Sequence, residues 1–225
     1  MVTATASSVE EVHAGACSQL YRLLADGFLY PDSAFFEALK AGRYRDDVAQ
    51  ACEPLSYDLE PTLDGLVACG PYIDFQADYL RLFEVGLGVP PCPLYSGIYR
   101  GGRKSVMEEL TRFYNYFGLS VEQGKGELPD HISTELEFMH FLAFKELAAL
   151  RRGEDRVPYR RAQADFLERH LVSWLQTLET RLAGLDPPPF YVALTWLAGA
   201  STRTELALLR QSRDVAPDSG QEDGA

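Results

Sequence analysis

The chain has no Cys-x-x-Cys pair. Its four cysteines, Cys17, Cys52, Cys69 and Cys92, lie far apart. That spacing argues against a zinc ribbon or a thioredoxin-like centre and leaves free thiols in a reducing compartment as the plain reading. No uncharged apolar run reaches the roughly 18 residues that a membrane span requires. The opening residues, Met1-Val2-Thr3-Ala4-Thr5-Ala6-Ser7-Ser8, carry neither a basic stretch nor an apolar core, so no secretory signal is expected there. A Gly-x-Ser-x-Gly elbow and a His-Glu-x-x-His helix are both missing, which removes two common hydrolase signatures. No strand pattern, internal repeat or sustained heptad register is present either.

Basic residues are scarce in one part of the chain. The 225 residues carry a net charge of -12. Residues 1–90 hold 5 basic and 14 acidic side chains, residues 91–153 hold 8 of each, and residues 154–225 hold 8 and 11. An acidic first third repels nucleic-acid phosphates and anionic lipid. It can attract a basic peptide, although solubility alone also explains such a balance. The composition, 46% hydrophobic and 24% charged, is that of a globular domain able to bury a core of its own.

What is present reads as helix. Val12, Ala16, Leu20, Leu23, Leu24 and Gly27 recur at spacings of three and four. Pro31-Asp32-Ser33 breaks that helix, and Asp32 or Ser33 can cap a short one over Phe35 to Leu39. Pro54 and Pro61 bracket a loop. Phe75, Tyr79, Leu82 and Phe83 mark another helical face, ending near Gly86 and Gly88. The stretch from Val89 to Gly102, rich in proline and glycine, is expected to be a loop, yet it carries Leu94, Tyr95, Ile98 and Tyr99. Apolar side chains in such a loop must pack or bind something. A helix over Val106 to Phe117 follows, and a second loop runs from Glu122 to Leu128. Asp130 is the expected N-cap of a long helix over Ile132 to Arg151, ended by Gly153. Helices over Tyr159 to Leu182 and Phe190 to Arg210 flank Pro187-Pro188-Pro189. The expectation is one all-α, single-domain helical bundle of eight or more helices over residues 1–211, with a polar, unstructured tail at 212–225.

The chemistry-bearing residues cluster in few places. Gly97 to Ser105 approaches a phosphate-binding loop, but with Arg103 inserted before Lys104 and no strand to aim it, so a basic turn at a helix start is the better reading. His131 and His140 are nine residues apart on one helix, about 13.5 Å of rise, and cannot share a metal ion. No metal, cofactor or catalytic residue is assigned. Asp130 at a helix start can accept first-turn amides, and the helix dipole there favours a neutral His131. A neutral imidazole offers one donor and one acceptor, which suits peptide recognition. A capping Asp beside a packed His is the plainer account of spacing alone.

Six segments change that balance. Leu20 to Pro31 (Leu-Tyr-Arg-Leu-Leu-Ala-Asp-Gly-Phe-Leu-Tyr-Pro), Asp78 to Phe83, Pro90 to Tyr99, Glu127 to Met139, His170 to Leu175 and Pro189 to Leu194 resemble, in order, the TorD/DmsD/NarJ family of redox-enzyme maturation chaperones. The resemblance covers about residues 15 to 205. It implies an all-α fold and a cytoplasmic chaperone that binds the apo catalytic subunit of a DMSO-reductase-family molybdenum enzyme. It further implies binding of that subunit's twin-arginine signal peptide, so that export waits for cofactor insertion. Domain-swapped homodimers and weak GTP binding occur within the family and come with the resemblance. The family's Asp-His pair falls on Asp130 and His131, with Glu127 before it, and its proline-aromatic loop on Pro93, Leu94, Tyr95 and Ser96. Cys-Pro-Leu-Tyr departs here from the Pro-Pro-Trp core of other members. With the basic stretch Arg100 to Lys104, it looks more like the chaperones that serve periplasmic type II enzymes, which include the dimethyl sulfide, ethylbenzene, selenate and chlorate enzymes.

The expected partner site is thus a groove between the proline-aromatic loop and the start of the Asp130 helix. Apolar parts of the peptide would lie on Leu94 and Tyr95, and its arginines would meet Glu127 and Asp130. Two alternatives stand beside it. One is a small GTP-binding or hydrolytic enzyme using Glu127, Asp130 and His131 with Arg103 and Lys104. The other is a generic helical adaptor in which the Asp-His pair is only a cap.

Overall fold

The apolar face that Ala16, Leu20, Leu23 and Leu24 trace in the sequence is one buried side of a long first helix. The computed structural model describes residues 2–55, 57, 60–120 and 127–214. Among them the elements are α1 (Val2–Gly27), α2 (Ser33–Lys40), α3 (Arg43–Cys52), α4 (Glu60–Leu63), α5 (Tyr72–Tyr79), α6 (Ser96–Arg100), α7 (Arg103–Tyr116), α8 (Ile132–Arg152), α9 (Val157–Phe166), α10 (Val172–Ala183) and α11 (Pro189–Asp214). Two π-helical turns, Leu80–Glu84 and Leu167–Leu171, extend α5 and join α9 to α10. No strand occurs among the described residues; one isolated antiparallel bridge pairs Tyr95 with His131. The all-helical expectation is met.

Burial explains the layout. α1 packs chiefly on α8, whose Ile132, Leu136, Met139, Leu142 and Ala143 are wholly buried. α3 lies against the other side of α1, where the Tyr44 hydroxyl donates to the Leu23 carbonyl at 2.8 Å. α10 and α11 pair, and α9 bridges α8 and α11. Two aromatic clusters fill the spaces between these layers. One gathers Phe35, Phe36, Tyr44, Phe75, Phe190 and Tyr191, with Phe75 stacked on Tyr191 at 5.2 Å. The other gathers Phe113, Tyr114, Phe138, Phe166 and His170. Edge-to-face pairs dominate both, as ring quadrupoles favour.

Local signals were accurate at several boundaries. Asp32 caps α2, its carboxylate accepting the Phe35 amide at 2.7 Å. Gly153 ends α8 in the left-handed region. Four details differ from expectation. The second half of the proline- and glycine-rich stretch is not loop but the short helix α6. The helix expected over Tyr159 to Leu182 contains a π turn, where one residue is inserted into the ladder. The cap of α8 is His131, not Asp130, because the Ser133 amide meets His131 Nδ1 at 3.3 Å. The last helix runs through Asp214, which takes in the first residues of the expected tail; residues 215–225, like 121–126 of the second loop, lie outside the described residues.

Phe166 sits at the centre of the second aromatic cluster with no exposure. Phe166→Ala should cost about 3–5 kcal/mol, the usual range for emptying an aromatic site in a core. A urea midpoint lowered with an unchanged slope would record it; an unchanged midpoint would contradict this packing.

Candidate functional site

The proline-aromatic loop and the start of α8 do not face each other across a groove. They are joined. The Ser96 amide donates to the Asp130 carbonyl at 2.8 Å, and the Ile132 amide donates to the Leu94 carbonyl at 2.9 Å. Leu94, Ser96, Asp130, His131 and Ile132 are all wholly buried, and Pro93 is buried with them. The expected groove between the two segments is therefore closed by backbone pairing. The physical reason is that buried amides and carbonyls must be paired, and these four pair with one another.

Side chains complete the junction. Tyr95 packs edge-on against His131, ring centres 5.0 Å apart. The Asp130 carboxylate faces α7, where Arg103 Nε donates to it at 3.1 Å. The same guanidinium lies over the Tyr95 ring at 4.7 Å. Arg103 thus occupies the seat that the sequence reserved for a partner's arginine. Gly97 makes the close approach feasible, since a Cβ there would fall 2.8 Å from the Arg103 Cα and 2.9 Å from Asp130 Oδ2. The turn into α7 passes through Gly101 and Gly102, both at positive φ, a region that side chains rarely adopt. A helix rather than a strand precedes this turn, so the likeness of Gly97 to Ser105 to a phosphate-binding loop ends at the sequence.

The rim is the part of the junction open to solvent. Glu127 and Tyr95 are half-buried, with the Tyr95 hydroxyl 3.4 Å from Glu127 Oε2. Burial, then the charges of Glu127 and Glu84, push the Tyr95 hydroxyl up to about 12. Glu84 belongs to the same acidic edge; burial and then Glu127 raise its carboxyl. Directly after it, Val85, Leu87 and Val89 stand exposed between glycines, Leu87 completely. On the α7 side a shallow groove of about 810 Å³ is lined by Arg103, Lys104, Met107, Glu108, Arg112 and Leu128. The junction therefore separates an acidic, apolar edge from a basic groove.

Behind the rim, the junction is dry. Burial holds the His131 imidazole down at about 4, so it is neutral near pH 7; the expected state is found, but burial rather than the helix dipole is its cause. His170 is held near 3 by burial and then by Arg100 and Arg169, and Arg100 Nη1 lies 2.8 Å from its Nδ1. Burial pushes Glu135 up to about 8, with Ser96 and the Trp174 indole, at 3.3 Å, offsetting part of that cost. Asp130 and His131, sealed in this way, cannot meet a nucleotide unless the junction opens, which counts against the hydrolytic alternative.

Of the expected residues, Pro93, Leu94, Ser96, Asp130 and His131 build the junction, while Glu127 and Tyr95 form its edge. Sequence reasoning missed Glu84 and the Val85–Val89 turn. Its signal was available: three bulky apolar side chains alternating with Gly86 and Gly88, where solvent-exposed turns rarely carry them.

The described residues thus form an all-helical body with a sealed loop-helix junction and a mixed acidic and apolar rim. Residues 53–179 match the model of the nitrate reductase delta subunit family. The chain belongs to that family, which is the TorD/NarJ group of maturation chaperones that the six segments resemble. The chain is 37% identical to the perchlorate reductase assembly chaperone protein of Dechloromonas aromatica, over 81% of this chain and 85% of that protein. It is 44% identical to the selenate reductase assembly chaperone protein of Thauera selenatis and 46% identical to the chlorate reductase assembly chaperone protein of Ideonella dechloratans. Each of these two alignments covers 49% of this chain and 58% of the relative. No helix among the described residues is long and apolar enough to cross a membrane.

The buried titratable groups predict a stability optimum. Glu135, raised in the folded state, stabilises fully below its ordinary value of 4.5, and that contribution is lost as pH rises to about 8. His131 and His170, depressed in the folded state, act oppositely: their contribution is present above 6.5 and is lost as pH falls toward 4 and 3. In Glu135→Gln the fall in urea midpoint between pH 5 and pH 8.5 should be shallower than in the parent protein. An equal fall in both would show that Glu135 is ionised in the fold at neutral pH.

Proposed function

We propose that this protein is a cytoplasmic assembly chaperone for the catalytic subunit of a molybdenum-dependent oxyanion reductase, and that it takes that subunit's twin-arginine signal peptide on the rim of the junction. The observation that carries the reading is the juxtaposition at residues 84–89 and 127. Two carboxylates, Glu84 and Glu127, stand beside an exposed apolar turn, Val85 to Val89. A twin-arginine signal has the complementary order, with basic residues followed by an apolar run. The names of three relatives, the assembly chaperone proteins of perchlorate, selenate and chlorate reductases, support the client class.

The energetics suit a chaperone that must let go. Exposed carboxylate–arginine pairs contribute about 0–1 kcal/mol each. Covering Leu87 and its neighbours contributes roughly 1.5–3 kcal/mol per side chain before ordering costs, enough for micromolar binding. Arg103 adds selectivity rather than strength. A client arginine can take its seat over Tyr95 and beside Asp130, releasing Arg103 to water, and such an exchange of like for like is nearly neutral. The junction thereby tests for a guanidinium without holding it tightly. The site is a binding site and not a catalytic one.

Two experiments address the two parts. The chain, used as bait in cells starved of molybdate, should accumulate an apo catalytic subunit; a bait that recovers no such subunit would overturn the chaperone reading. Calorimetry with the client's N-terminal peptide should give micromolar affinity, weakened roughly three- to tenfold by Glu84→Gln with Glu127→Gln and about tenfold or more by Leu87→Ser. Parental affinity in both variants would move the peptide to another surface.

A further inference from the structure

A second cluster of chemistry-bearing side chains shares no residue with the junction. His13 and Cys17 stand one helical turn apart on α1, so both leave the same face. Glu205 meets them from α11, and Tyr57 reaches in from the segment between α3 and α4. His13 Nε2 lies 3.0 Å from Glu205 Oε2. Cys17 Sγ lies 3.4 Å from His13 Nε2 and 3.6 Å from Glu205 Oε2. The Tyr57 hydroxyl donates to the same Glu205 oxygen and is 3.6 Å from Cys17 Sγ. Cys17 and Glu205 are buried, while the His13 side chain keeps 27% of its exposure. That leaves one accessible member through which an ion could enter.

Hydrogen bonding does not fully account for this triangle. A neutral imidazole protonated at Nε2 and a thiol supply two protons for three edges, so one edge is a bare contact between heavy atoms. A cation inside the triangle needs no proton on any edge. Zinc binds imidazole nitrogen and carboxylate oxygen at about 2.0–2.2 Å and thiolate at about 2.3 Å, which places tetrahedral ligand atoms about 3.3–3.6 Å apart. The two separations from Cys17, 3.4 and 3.6 Å, fall within that range, and the His13–Glu205 separation of 3.0 Å is a few tenths of an ångström shorter. Charge agrees as well: a thiolate, a carboxylate and a neutral imidazole around a divalent ion make a site of zero net charge, the cheapest form to bury. The mixed sulfur, nitrogen and oxygen donor set favours a borderline ion of the zinc type over magnesium or calcium.

We propose that His13, Cys17 and Glu205 bind one divalent cation of the zinc class, with the Tyr57 hydroxyl or a water completing four-coordination. On binding, the thiol proton leaves to solvent as the sulfur–metal bond forms, the imidazole carries its one proton on Nδ1 so that Nε2 ligates, and no electron transfer is involved. The ion pins α1 to α11, joining positions 13 and 205 of the chain. This inference is independent of the peptide-binding reading.

The test uses the full-length chain, stripped with a chelator and titrated with Co²⁺. One equivalent should produce a thiolate-to-cobalt charge-transfer band together with the visible bands of tetrahedral cobalt, and Zn²⁺ should bleach both. Zn²⁺ should also raise the thermal midpoint relative to the stripped protein. Cys17→Ser should abolish the charge-transfer band, and His13→Ala should weaken binding by roughly tenfold or more. Because His13 is on the rim, His13→Ala keeps the test decisive if Cys17→Ser lowers stability. No saturable band in the parent, or a band that survives in the folded variants, would reduce the cluster to a hydrogen-bonded clamp and overturn the proposal.

Discussion

Two backbone hydrogen bonds, Ser96 to Asp130 and Ile132 to Leu94, hold the proline-rich segment against the start of α8. Both lie where no water reaches, so each unmade bond would leave two buried polar groups bare at about 1–3 kcal/mol apiece. The rest of the neighbourhood depends on them. They fix Tyr95 beside His131, and Tyr95 in turn makes the floor on which Arg103 lies. They bring Gly97 so near Arg103 and Asp130 that no side chain fits. Five-residue α6 exists because the chain, once anchored at Ser96, must turn at once toward α7.

The same anchoring divides the region into a dry interior and a wet edge. His131, Glu135 and His170 are uncharged at neutral pH because burial penalises their charged forms. Glu84, Glu127 and Arg103 lie on the wetter edge, exposed or half-buried. The exposed groups therefore form a narrow rim, and the buried Asp130 and His131 support that rim from behind.

The helices were legible in the sequence because their signals are local. The three-and-four spacing of Leu20, Leu23 and Leu24, the Asp32 cap and the Gly153 stop each act within a few residues. The cap of α8 was misassigned for a non-local reason. Asp130 is the better capping residue by type, but the pairing with Leu94 and Ser96 keeps His131 extended as the cap, and helical geometry begins at Ile132. The π turns at Leu80–Glu84 and Leu167–Leu171 had no compositional mark, since π and α turns draw on the same residues. At the site, chemistry was legible and exposure was not: Glu127, Asp130 and His131 stood out as types, but only folding distinguishes a carboxylate on the rim from one sealed against Arg103. His13 and Cys17 show the same limit. Their four-residue spacing is visible, whereas Glu205, nearly two hundred positions later, is brought to them only by the packing of the bundle.

The packing of α1 on α8 has a consequence for how the protein is made. α1 finds its principal neighbour, α8, only after more than a hundred further residues have been added. During translation the face bearing Leu20, Leu24 and Phe28 therefore emerges without its cover, and native docking must wait for the second half of the chain. A chaperone of this architecture spends its own birth in the condition that it is built to relieve in others, with apolar surface bare and a partner still to come.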